Sequence, residues 1–329
     1  MKRNKTYQEM REVLETTKYA AEKSRLVRID KPALARFSKK LIEDEIKVPP
    51  WDPCYHFCDG TEKTVSYLLV LDSLNFCFWP LPGKAKWEIE YKSEKLSGYY
   101  AMAASLTKAV ESGIPVTGSA YLANLSSGEL KNILGGQGEL QLMEPRVQIL
   151  NELGQVLVRE YDGNACKLVE AAENSAAKLA RLLAQKFSSF RDIAEYRRHE
   201  VFFYKRAQIF AADLHGAFDG KKWGGFGDMD RLTAFADYKV PQVLRHLGIV
   251  VYKDSLAQKV DQQVLLEPGS LDEVEIRAST IWTVELIRQE LERMGKVLRA
   301  FEIDWILWNL GQDDAFRERP YHRTITVFY

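Results

Sequence analysis

Apolar residues recur at helical spacing along most of this chain. Met10, Val13 and Leu14 share one side of a 3.6-residue spiral within 6–27, and Leu34, Phe37 and Leu41 do so within 32–46, so both stretches are predicted helices. The period then changes. Residues 64–71 and 87–91 are short runs rich in branched and aromatic side chains, and between them lies the turn-forming run Pro80, Leu81, Pro82, Gly83. They read as strands of a small antiparallel sheet. Helical spacing returns over 98–112, 127–134, 144–153, 166–183, 193–198, 204–218, 231–235, 241–247, 273–294 and 301–310, while the tail 324–329 alternates like a strand that closes the sheet. No internal repeat or linker interrupts the pattern. The expected class is mainly α (α+β): one compact domain over 1–329, with helices in 1–46 packing on a pocket-forming body over 47–329.

Composition narrows the partners. Lysine plus arginine and aspartate plus glutamate both number 46, giving a formal charge of zero in 329 residues. A protein that grips a long polyanion usually carries a basic excess, so a small-molecule substrate is expected rather than a nucleic-acid polymer. Four cysteines make no disulfide framework, no apolar run approaches a membrane span, and the N-terminus mixes Glu9, Arg11, Glu12 and Glu15 without an apolar signal core. A cytoplasmic setting without membrane contact follows as the expectation; oligomeric state is not legible.

The most particular phrase is Phe235, Ala236, Asp237, Tyr238, Lys239, Val240, Pro241. It sets one carboxylate between the rings of Phe235 and Tyr238, just ahead of a helix whose first turn tolerates Pro241. The positive end of that helix favours an ionised Asp237, the form that stabilises a cationic sugar or orients a water. A helix-capping Asp beside core aromatics is the competing reading. The segment from Asp72 to Trp79, with Asn75 and three large rings, can line a pocket through stacking faces and hydrogen-bonding edges. Helical spacing pairs Asp304 with Trp308 and Trp305 with Asn309, and Lys205 and Arg206 open a helix where either can meet a phosphate. Cys54, His56 and Cys58 alternate in the proline-rich loop 48–60, yet no second ligand pair appears and no metal is expected. Gly224, Gly225 and Gly227 lack the lysine-serine pair of a phosphate loop, Cys166 has no nucleophile motif around it, and no cofactor signature stands out.

Several longer phrases, taken together, resemble the queuosine salvage protein family. They are Asp72 to Trp79 (DSLNFCFW), His56 to Gly60 (HFCDG), Tyr204 to Gln208 (YKRAQ), Phe235 to Leu244 (FADYKVPQVL) and Glu273 to Arg277 (EVEIR). The resemblance runs from about Lys47 to Tyr329. It implies a largely helical fold similar to that of DNA glycosylases, and an N-glycosidase that hydrolyses queuosine 5′-monophosphate to release queuine in queuosine salvage. It also implies Asp237 as the catalytic carboxylate, acting electrostatically on an oxocarbenium-like transition state, through a water, or as nucleophile. Phe235 and His56 would contact the base, and the late acid-aromatic segment falls on Asp304 and Trp305, with Asn309 one turn beyond. Lys205, with Arg277 as the alternative, is the expected partner of the 5′-phosphate. Two alternatives stay open at the level of sequence: a nucleic-acid base glycosylase, and a helical nucleoside-binding protein without turnover.

Overall fold

A computed structural model describes residues 11–329, and within them the chain forms fourteen α-helices and three separate two-stranded antiparallel ribbons. Two helices organise the rest. Leu271–Arg293 is packed against Arg11–Glu22, Lys31–Glu43, Lys239–His246 and Ala300–Leu310. Glu62–Ser73 is packed against Gly98–Glu111, Met143–Tyr161, Ala165–Glu170 and Lys205–Ala217. No helix among the described residues is long and apolar enough to cross a membrane.

The second of these helices corrects the expectation of a strand over 64–71. Thr61 caps it by accepting the Lys63 amide, and Val65 and every residue from Tyr67 to Ser73 are buried. A run of apolar residues covered on every side shows neither a helical nor a strand period, so its β-branched content misleads. The strand expected over 87–91 is present as Glu88–Tyr91, but its partner is Glu94–Ser97. The helix expected over 193–198 is instead a hairpin. Ile193–Tyr196 pairs with His199–Phe202 around Arg197 and Arg198, both at positive φ. Such a turn normally advertises itself with Asn-Gly, and two arginines hide it.

Other boundaries moved for local reasons. The stretch 166–183 divides into Ala165–Glu170 and Ala176–Lys186, because Glu173 and Asn174 take left-handed backbone and Ser175 recaps the chain by accepting the Lys178 amide. The stretch 231–235 is extended beyond a 3-10 turn at Met229–Arg231, its backbone satisfied by side chains: Gln208 accepts the Thr233 amide at 2.8 Å and Asp304 accepts the Phe235 amide at 2.8 Å. The first helix is described from Arg11 to Glu22, and Val27–Ile29 pairs with Val250–Tyr252; residues 6–10 of the expected helix, with Met10, lie outside the described residues. The tail 324–329 closes no sheet. It runs as irregular chain whose end is fixed by the Cys77 amide donating to the Tyr329 carbonyl at 3.0 Å.

Candidate active site

The loop after Glu62–Ser73, the N-terminus of Lys205–Ala217, the extended strap before Lys239–His246 and one face of Ala300–Leu310 surround a cavity of roughly 750 Å³. That volume suits a nucleotide-sized molecule. Asp237 lies in the strap, buried, and its Oδ1 accepts the amides of Lys239 and Val240, both at 2.9 Å. The helix starts at Lys239 and keeps Pro241 in its first turn. Capping and pocket lining therefore coexist in one side chain: Oδ1 caps, while Oδ2 makes no protein hydrogen bond among the described residues.

The electrostatics of the cavity floor follow from burial. Asp237 is raised above the ordinary carboxylate value by desolvation, opposed by the Lys205 charge and the two amides. Asp304 is raised well above it by desolvation and by Asp237, although Oδ1 accepts the Phe235 amide. Two neighbouring buried carboxylates cannot both ionise cheaply, and Asp237 has the better support, so Asp304 is the one that keeps its proton. Lys205 is pushed down to about 8 by desolvation, with Asp237, Asp72 and Asp304 pulling it back up, and its Nζ donates to the Asn75 carbonyl at 3.2 Å.

A hydrogen-bonded file runs along another part of the wall. His56 Nδ1 lies 2.6 Å from the Asp52 carbonyl and Nε2 lies 2.8 Å from the Tyr99 hydroxyl, which is 3.4 Å from Asp213 Oδ2. Burial lowers His56 to about 4 and raises Asp213 to about 7. The neutral imidazole therefore carries its proton on Nδ1, facing the carbonyl, and accepts through Nε2. Around this file the rings of Trp51, Tyr99, Tyr100, Trp305 and Trp308 supply flat apolar wall, with Trp308 edge-on to Tyr99 and Tyr100 at 6.1 and 5.7 Å.

Of the residues expected from sequence, His56, Asn75, Lys205, Phe235, Asp237, Tyr238, Asp304, Trp305 and Asn309 all line the cavity. Asp72 and Arg277 do not. Asp72 is fully buried behind the floor, with both carboxylate oxygens lacking a hydrogen-bond partner. Arg277 is committed to protein: its guanidinium donates to both Asp192 oxygens at 2.9 and 2.6 Å, to Glu273 at 3.3 Å and to the Ala236 carbonyl at 3.0 Å. It holds the backbone next to Asp237 instead of reaching into the cavity. Sequence reasoning missed Trp51, Tyr99, Tyr100 and Asp213, which also line it. The lone acid in the apolar run from Ile209 to Leu214 was the available signal for Asp213. Among the described residues no group of three metal-ligating side chains converges, and the Cys54 and Cys58 thiols are exposed.

Comparison with known proteins identifies the family. The family model described as "Queuosine salvage protein" matches residues 55–329. The chain is 44% identical to the queuosine 5′-phosphate N-glycosylase/hydrolase of Sphaerobacter thermophilus, covering 96% of this chain and 97% of that protein. Proteins of the same name from Dictyostelium discoideum and Bos taurus are 36% and 33% identical, each over 96% of this chain and 98% of the relative.

Proposed function

The chain belongs to the queuosine salvage protein family, and we propose that it hydrolyses the N-glycosidic bond of queuosine 5′-phosphate with Asp237 beneath the anomeric carbon. Breaking that bond leaves the electron pair on the base and builds positive charge on the ribose. A carboxylate fixed below C1′ lowers the energy of this charged state more than that of the neutral substrate. The observation that carries the reading is the division of labour within Asp237. Two amides at 2.9 Å immobilise Oδ1, and Oδ2 is left without a protein partner in a nucleotide-sized cavity.

The base side completes the reaction. Queuine is a 7-deazaguanine and offers no ring nitrogen at position 7 for protonation, so the departing anion needs hydrogen bonds at its other edges. Asp304, kept protonated by burial and by Asp237, donates one of them, while Phe235 and Trp305 enclose the ring. His56, Asn75 and Tyr238 belong to the same wall. Water supplies hydroxide to C1′ and a proton for the departing base; the products are queuine and ribose 5-phosphate. Lys205 acts through Asp237, holding it ionised.

The substrate is a small nucleotide, consistent with a chain of zero formal charge. Pure protein incubated separately with queuosine 5′-phosphate, queuosine and queuosine-bearing tRNA, with released base separated by chromatography, tests this. Free queuine from the nucleotide and none from tRNA is expected. Release from tRNA alone, or from no substrate, overturns it.

A further inference from the structure

Charge is segregated within the cavity. Lys205 in the floor is surrounded by Asp237, Asp304 and the underlying Asp72. Another part of the lining brings together Lys86, Lys239, Arg317 and Arg323, with Glu318 as the acid beside them. These cations are poorly neutralised. Lys239 Nζ donates to neutral oxygens, the Gly311 carbonyl at 2.9 Å and Gln242 Oε1 at 3.5 Å. The Lys86 ammonium has no hydrogen bond or ion pair among the described residues. Arg317 spends one nitrogen on exposed Asp314 at 3.1 Å. Arg323 lies over the Trp79 and Tyr321 rings at 5.3 and 5.8 Å, and its Nε is buried without an acceptor.

We propose that Lys86, Lys239 and Arg317 form the subsite for the substrate's 5′-phosphate, flanked by Arg323; the assignment rests on the hydrolase reading above. Like charges gathered with few counter-ions, among them Asp314 on Arg317 and Glu318 in the lining, cost free energy that an arriving dianion recovers. The three also feel one another: Lys239 is pushed down to about 8 by burial and by Arg317 and Lys86, against the pull of Asp237, and Lys86 is lowered by burial and by Arg317, against the pull of Glu88. Position fits as well. Lys239 is two residues from Asp237 and donates its amide to the carboxylate assigned to C1′, so the cations begin next to the sugar, where a 5′ substituent must lie. The floor instead offers the single ionised carboxylate of Asp237, suited to the oxocarbenium charge, with Lys205 committed beside it. Lys205, ringed by carboxylates and bonded to the Asn75 carbonyl, is thereby replaced as the phosphate partner expected from sequence.

The test compares kcat/KM for queuosine 5′-phosphate and queuosine in the wild type, in Lys239→Met and in the double variant Lys86→Met with Arg317→Met. Each variant should lower the nucleotide-to-nucleoside ratio by about tenfold or more, the loss of a charge-assisted contact to phosphate. Lys205→Met should lower both substrates alike. Binding of ribose 5-phosphate, followed by calorimetry, should weaken in step in the first two variants. An unchanged ratio with unchanged ribose 5-phosphate affinity, or a selective loss confined to Lys205→Met, overturns the subsite. Wild-type protein that binds ribose 5-phosphate through these cations yet releases no base would reject the hydrolase reading and leave the subsite standing.

Discussion

Arg146, Arg206 and Arg277 are as deeply buried as Asp237, Asp304 and Asp213, but the two sets meet different surroundings. The guanidiniums are supplied with acceptors. Arg146 donates to the carbonyls of Gln141, Leu74 and Phe76 at 3.0, 2.6 and 2.6 Å; Arg206 donates to those of Asp72, Ser73 and Ser189, with its Nε left without an acceptor among the described residues. Arg277 has a bidentate carboxylate, a second acid and a carbonyl. The carboxylates are supplied sparingly and face a cavity. Buried charge supplied with most of its acceptors holds chain segments in place, and buried charge left partly unsatisfied at a cavity wall is held in readiness for a ligand. The saturated set clamps the loop 72–77 and the backbone beside Asp237, so the first region sets the geometry of the second.

Breaking the saturated side should give the largest effect. Arg277→Ala strands Asp192 and Glu273 in the interior and should cost about 3–5 kcal/mol of stability, measured by denaturant unfolding; a loss under about 1 kcal/mol would mean the triad is not structural. On the unsaturated side, Lys205→Met should leave stability closer to wild type and lower kcat by about tenfold or more, since Asp237 loses its neighbouring cation. The pH dependence carries a sign. Lys205 is ammonium below about 8 and neutral above it, so kcat/KM for queuosine, which has no phosphate to engage Lys239, should fall as pH rises through that value, and this limb should vanish in Lys205→Met. An identical alkaline limb in the variant would assign it to another group. Phe235→Ala should weaken queuine binding by about tenfold, as expected for one lost stacking face, with calorimetry as the check. Asn309→Ala should be smallest, within about threefold in KM, because its amide donates to the Trp305 carbonyl of its own helix at 2.9 Å and its side chain is exposed.

The same contrast explains what was legible in the sequence. Helices with one apolar face, such as Lys31–Glu43, could be read from spacing, and the position of Asp237 from the proline that follows it. Elements whose backbone is satisfied by distant side chains could not. The strap carrying Asp237 is extended because Gln208 and Asp304 take its amides, and no local pattern records that. The helix Glu62–Ser73, covered all round, had lost its period. Phe235 and Asp304 stood out in their own phrases, while the base contact expected of Phe235 and His56 came from resemblance to a family. Asp213, Tyr99 and the cations Lys86, Lys239 and Arg317 come from separate parts of the chain, with no shared motif to join them.

Turnover of queuosine 5′-phosphate by Asp237→Asn decides whether the carboxylate drives the reaction. Asparagine keeps an oxygen for the Lys239 and Val240 amides and removes the negative charge. The variant should fold, bind substrate within a few-fold of wild type and lose at least about a hundredfold in kcat. Release of queuine at near wild-type rate by that folded variant would contradict that role.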